Sequence, residues 1–164
     1  MKTQLLLTSL AAVFALGACA NRAAPDSPQQ QASGHCRLLQ GDTGGAGRKV
    51  VYRCNGQAIL NSAEAKAVLD PSVPVSFGGG GAVIKNDLIT RQAANRVGKT
   101  DSATCERALL NAAKKFQETA LKHGGRRVSD FHSYYDRKTL KGGQFDCEVG
   151  SFHGRVVMKG DVAR

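Results

Sequence analysis

Residues 97–161 read VGKTDSATCERALLNAAKKFQETALKHGGRRVSDFHSYYDRKTLKGGQFDCEVGSFHGRVVMKGD, and the order of patterns inside this stretch decides the fold. Over residues 102–122, Cys105, Leu109, Ala112, Phe116 and Ala120 recur at helical spacing, with Ala108, Ala113 and Leu121 widening the apolar stripe. Glu106, Arg107, Lys114, Lys115, Glu118 and Lys122 take the other side. Asp101 or Ser102 can cap the start, and Gly124-Gly125 can end the helix in a left-handed turn. Two extended segments follow, residues 128–137 and 145–159, flanking Gly142-Gly143. With that pair as the turn, Phe131 and Tyr135 share a face with Phe152, Val156 and Met158, an apolar surface for the helix. The same count puts Cys147 on the opposite face, and a bulge near Gly150 would bring it back. Residues 82–92 (AVIKNDLITRQ) read as a further strand ahead of the helix. The order β-α-β-β predicts an α+β core over residues 71–164: a small, antiparallel-rich sheet with one main helix.

Toward the N-terminus, residues 36–40 (CRLLQ) and 49–54 (KVVYRC) read as hairpin arms around a glycine-rich loop, residues 41–47. Asn55-Gly56 is a tight-turn dipeptide and predicts a second small hairpin. Asn61 and Glu64 stand three apart like a capping box, which predicts a short helix over residues 62–69, stopped by Asp70-Pro71. Residues 35–70 thus form a disulfide hairpin subdomain with a short helix; residues 73–77 read as extended and 78–81 as a loop.

Farther out, a single Lys2 precedes the apolar run LLLTSLAAVFAL of residues 5–16, which ends in Leu16-Gly17-Ala18-Cys19. The run has the length of a signal-peptide core and falls short of the ~20 apolar residues that span a bilayer. Its ending resembles the bacterial lipobox. The expectation is a leader over residues 1–18 and acylation of Cys19, with Ala20 behind it favouring the outer membrane by enterobacterial sorting rules. Residues 19–34, poor in apolar bulk and rich in Pro, Gln, Ser and Ala, read as the lipidated cysteine and a tether.

Acylation of Cys19 would leave Cys36, Cys54, Cys105 and Cys147, an even number for an oxidising compartment. Folding residues 36–54 symmetrically places Cys36 opposite Cys54, which leaves Cys105 for Cys147. Metal ligation is the rival use, with His35, His123, His132 and His153 at hand but no CxxC or HxxxH spacing.

The formal net charge of +10 points to contact with anionic envelope material. Nucleic acid is not the expected partner, because the basic residues are dispersed and not interleaved with aromatics for base stacking. Residues 93–100 (AANRVGKT) are a degenerate phosphate-loop match, with Gly98, Lys99 and Thr100 as its phosphate-binding candidates. An alanine holds the first glycine's place, no acidic Walker-B strand follows, and the exported compartment lacks ATP. His132 and His153, which the proposed hairpin sets face to face, are the candidate metal ligands. No Ser/His/Asp, Cys/His or paired-carboxylate arrangement is recognisable, so neither catalytic residue nor cofactor is expected.

The turn Gly98 to Asp101, Cys105 in the first helical turn, the Gly124-Gly125 break, Ser133-Tyr134-Tyr135, Cys147-Glu148 and Lys159-Gly160-Asp161 together resemble a family of small exported proteobacterial proteins. These often carry the label "excinuclease ATPase subunit". The chain departs from that pattern in reading D-C-E before the last strand and Arg126-Arg127 after the helix. More distantly, the helix-then-hairpin order is similar to YbjQ-like and RcsF-like envelope lipoproteins. The resemblance implies an envelope address and a disulfide-bonded α+β module. The expected function is a non-catalytic, outer-membrane-anchored lipoprotein that binds or senses an envelope protein or anionic ligand. Phosphate handling at residues 93–100 and metal binding through His132 and His153 are the alternatives.

Overall fold

The computed structural model describes residues 34–164 except residue 46; the expected leader, Cys19 and nearly all of the expected tether lie outside the described residues. The elements run β1 (Cys36–Gln40), β2 (Val50–Asn55), α1 (Gly56–Leu60), α2 (Ala63–Val68), β3 (Val83–Asn95), α3 (Asp101–Lys122), β4 (Arg127–Ser133), β5 (Gln144–Val149) and β6 (His153–Ala163). The strands form one antiparallel sheet in the order β1-β2-β5-β6-β3. β5 pairs with the start of β6 and β4 with its far end, so those two lie end to end along the edge opposite β3. The architecture is α+β with one main helix and two disulfides. The N-terminal hairpin is continuous with the core sheet, because β2 pairs with β5 from Val50↔Val149 to Asn55↔Gln144.

Most of the helix stripe buries as its spacing predicts: Cys105, Ala108, Leu109, Ala112, Ala113, Phe116 and Ala120 are all inaccessible or nearly so, whereas Leu121, expected to widen the stripe, is 55% exposed. They pack on Phe131, Phe145, Val156, Met158 and Val162. Phe116 meets Phe131 edge-on, with ring centroids 5.4 Å apart. Each fully buried large side chain contributes roughly 1.5–3 kcal/mol by leaving water. Glycines on β6 let the helix come close: a Cβ on Gly154 would sit 2.7 Å from Thr104 Cγ2, and one on Gly160 3.3 Å from Phe116.

Several expectations need correction. Residues 145–159 are not one strand with a bulge. Gly150 begins a reversal, its amide donating to the His153 carbonyl at 2.9 Å, and the chain returns as β6. That reversal, not a register shift, lets Cys147 and Val156 pair and both face α3. Phe152, left in the turn, is 68% exposed and takes no part in the core. Nor does residue 135 extend β4. The chain leaves the sheet after Ser133 in a tight turn that puts Asp136 and Arg137 in the left-handed region.

Asn55-Gly56 does not turn a hairpin. Asn55 instead caps α1, its side-chain oxygen accepting from Ala58 N at 3.0 Å. Gly56 is needed because a Cβ there would meet the Phe77 ring at 2.3 Å. α2 is capped by Ser62, whose Oγ accepts from Ala65 N, while Asn61 ends α1. α3 is capped one residue earlier than expected, by Thr100, whose hydroxyl accepts from Ala103 N at 3.2 Å. Asp101 falls inside the first turn and is buried there.

Both disulfides form as the hairpin argument required. Cys36–Cys54 joins directly opposed residues of β1 and β2, and Cys105–Cys147 ties α3 to β5.

Candidate functional site

Alternation along β6 divides the sheet into two faces. Gly154, Val156, Met158, Gly160 and Val162 face α3, whereas Arg155, Val157, Lys159 and Asp161 point the other way. α1 and α2 pack against α3, so among the described residues no α-helix covers the second face; only the 3-10 turn Tyr135–Arg137 lies over part of it.

That open face carries a hollow of about 340 Å³ whose walls include Arg91, Ala93, Tyr135, Glu148, Arg155 and Val157. Register explains its shape. Arg91 stands opposite Val157 and Ala93 opposite Arg155, so the two arginines are diagonal neighbours, and the methyl of Ala93 leaves the space between them unfilled. On the other side of β6, Glu148 stands opposite Arg155 and receives its Nη2 at 2.5 Å. Tyr135, brought back by the turn after β4, donates its hydroxyl to Glu148 Oε2 at 2.9 Å. Lys49 Nζ lies 3.6 Å from the same oxygen. Burial opposes ionisation of Glu148, but the hydrogen bonds from Tyr135 and Arg155 outweigh it and hold the carboxyl below its ordinary range. Burial and the bond to Glu148 push the Tyr135 phenol up, so it stays a donor. The Arg91 side chain, in contrast, makes no hydrogen bond or ion pair among the described residues.

A second hollow of about 600 Å³ opens beside the first under the β1–β2 loop, with Thr43, Arg48, Lys49 and Phe152 on its walls. Glu148 and Arg155 belong to both, so the two make one trough.

At the end of the trough Arg48 turns inward to Asp101. Asp101 Oδ2 takes Arg48 Nη2 at 2.5 Å and Tyr52 Oη at 2.8 Å, and Oδ1 takes Arg96 Nε at 2.7 Å. Burial penalises the charge on Asp101, yet Arg48, Arg96 and Tyr52 together lower its pKa. This cluster pins the start of α3 to β2 and to the turn before the helix.

The residues singled out in the sequence are dispersed. Residues 93–95 finish β3, an antiparallel strand, and Gly98 takes a left-handed turn with Lys99 N donating to the Arg96 carbonyl at 2.9 Å. Lys99 Nζ turns back to the Asn95 carbonyl at 3.5 Å, and the Thr100 hydroxyl serves as the helix cap. His132 and His153 do not face each other: His132 pairs with Lys159 and His153 with Asn95. Lys159, the partner of His132, stands six residues along β6 from His153, roughly 20 Å at strand rise. The cause is the reversal at Gly150, which makes β5 a strand of its own and gives β6 two different neighbours. His132 is buried with Nδ1 2.5 Å from the Asp130 carbonyl, and His153 is exposed. Among the described residues no group of three or more His, Cys, Asp or Glu side chains could hold a metal ion, and no helix is long and apolar enough to cross a membrane.

Arg91, Tyr135, Glu148 and Arg155 were not picked out as a group from the sequence. Reading Gly150 as a hairpin turn and counting outward would have paired Glu148 with Arg155. Nothing local marks Arg91, because its place beside Arg155 depends on how β3 meets β6. Comparison with known protein families, curated proteins and solved structures gave no match to this chain.

Proposed function

We propose that the protein is a non-catalytic binding module, held at the outer membrane by acylated Cys19, that takes an anionic envelope ligand on the open face of its sheet. The observation that carries this reading is the trough itself. It combines an uncovered sheet face, the unengaged Arg91, and Arg155 and Lys49 gathered around one carboxylate. An anion there would meet oriented guanidinium donors whose geometry suits bidentate recognition. The basic composition of the chain favours the same class of partner over long range. The leader and lipobox-like ending supply the address, in agreement with the resemblance to exported proteobacterial proteins.

The test has two arms. Metabolic labelling with palmitate should mark the full chain and be lost on Cys19→Ser. The Cys19→Ser chain, which carries no acyl anchor, should co-sediment with phosphatidylcholine vesicles containing phosphatidylglycerol, more weakly as salt rises, and not with phosphatidylcholine alone. Equal sedimentation with both vesicles, or turnover of a substrate by the purified chain, would count against the proposal.

A further inference from the structure

We infer that Arg91 and Arg155 form a recognition site for a phosphate monoester, with the organic part of the ligand resting in the hollow over Ala93 and Val157. This deepens the proposed function by naming the ligand chemistry, and it rests on that reading.

Three observations lead to it. The first is charge. Arg91 and Arg155 line the hollow with Glu148, Lys49 lies 3.6 Å from the same carboxylate, and Arg48 is committed to Asp101, so the cations left to the trough outnumber its one carboxylate by two. A phosphate monoester carries about −1.5 to −2 at neutral pH and matches that surplus, whereas a carboxylate or a phosphodiester matches half of it. The second is geometry. The arginines are diagonal across the β3–β6 pair, about 7–8 Å apart at the backbone, close enough for both long side chains to reach one tetrahedral group. Arg155 is oriented by Glu148, which uses Nη2 and leaves its other donors for a ligand; Arg91 retains all of its own. The third is space. The hollow of about 340 Å³ lies at the small end of ligand pockets, the scale of a single sugar or glycerol unit with its phosphate. Val157 and Ala93 give it an apolar floor, and Tyr135, locked by its bond to Glu148, forms a fixed wall. The inference is of binding alone, with no bond made or broken.

The same chemistry is presented by a soluble sugar phosphate and by a lipid headgroup bearing a terminal phosphate, and the experiment separates them. Titration calorimetry of the full chain uses α-glucose 1-phosphate, with glucose and inorganic phosphate as controls. Vesicle co-sedimentation of the Cys19→Ser chain, free of the acyl anchor, compares phosphatidylcholine doped with phosphatidic acid, a monoester, against the same lipid doped with phosphatidylglycerol, a diester. Expected are binding of glucose 1-phosphate but not glucose, and a preference for phosphatidic acid if the headgroup is the source. Arg91→Ala should weaken both by about tenfold or more, the loss of a charge-assisted hydrogen bond, and Arg91→Lys should restore only part. Ala93→Leu, which fills the hollow without altering charge, should weaken the sugar phosphate while leaving the circular dichroism spectrum unchanged. Glucose 1-phosphate binding no better than glucose, or equally well to Arg91→Ala and Ala93→Leu, overturns the inference. Persisting sedimentation with phosphatidylglycerol vesicles in that case leaves the proposed function standing; its loss removes both.

Discussion

Tyr52 of β2 donates its hydroxyl to Asp101 Oδ2 at 2.8 Å across the interior, and this bond joins the N-terminal hairpin to the first turn of α3. The carboxylate lies at the positive end of the helix dipole, and Arg48 and Arg96 also hold it. Neither end of the bond is exposed: Tyr52 is fully buried and Asp101 is 3% accessible. The main helix is thereby tied by charge to the first strand pair at its start, and one turn further on to β5 by the Cys105–Cys147 bridge.

Asp101→Asn should lower stability by about 3 kcal/mol at neutral pH, because it leaves two arginines partly buried without their anion. The folded-state pKa of Asp101 is lowered, so its contribution is fully present above the unfolded carboxylate value, about 3.9, and is lost as pH falls through the folded value. Glu148, also lowered, adds to the same acid limb. Urea midpoints measured down the acid range should therefore fall less steeply for Asp101→Asn than for the parent. Parallel curves would show that the network does not set acid stability.

The two disulfides should differ in worth. Cys105–Cys147 closes 42 residues and Cys36–Cys54 closes 18, which on the loop-entropy model correspond to about 4 and about 3 kcal/mol. Guanidinium unfolding of the paired variants Cys105→Ala/Cys147→Ala and Cys36→Ala/Cys54→Ala should rank them in that order.

Gly154→Ala should destabilise by about 1–3 kcal/mol, since the added methyl would stand 2.7 Å from Thr104 Cγ2 with the helix behind it. Thr104→Ser removes that methyl and retains the hydroxyl that donates to the Thr100 carbonyl. The double variant should recover much of the loss, and simple additivity in thermal unfolding would contradict the contact.

Lys99→Ala should change stability by less than about 0.5 kcal/mol, as its ammonium only touches the exposed Asn95 carbonyl. It should also bind α-glucose 1-phosphate like the parent. Weakened binding would move the phosphate site to the turn before α3.

What the sequence reading captured and missed has a consistent physical origin. The helix was legible because Leu109, Ala112, Phe116 and Ala120 face one way at a period no strand shares. The Cys36–Cys54 bridge was legible because both arms and their loop are contiguous. Misreadings cluster where one local signal serves two geometries. Asn55-Gly56 fits a hairpin turn and also an Asn cap with a glycine under Phe77, and only the position of that ring separates them. The Gly-Ser-Phe-His run at residues 150–153 fits a bulge or a reversal, and the choice depends on β3 being available as a second partner for β6.

By itself, the sequence determined the elements whose stability is local: the amphipathic α3, the glycine-rich loops, the first hairpin with its cysteines, and an even set of thiols left once Cys19 is set aside. The basic character of the chain was equally plain. Tertiary structure alone decided which strands adjoin, and with that which side chains meet. Strand pairing is a contact between distant residues: the reversal at Gly150 gives β5 the start of β6 and leaves its far end to β4. That division separated His132 from His153, while the pairing of β3 along the other edge of β6 set Arg91 beside Arg155, so the candidate site passed from residues the sequence marks to residues it leaves unmarked.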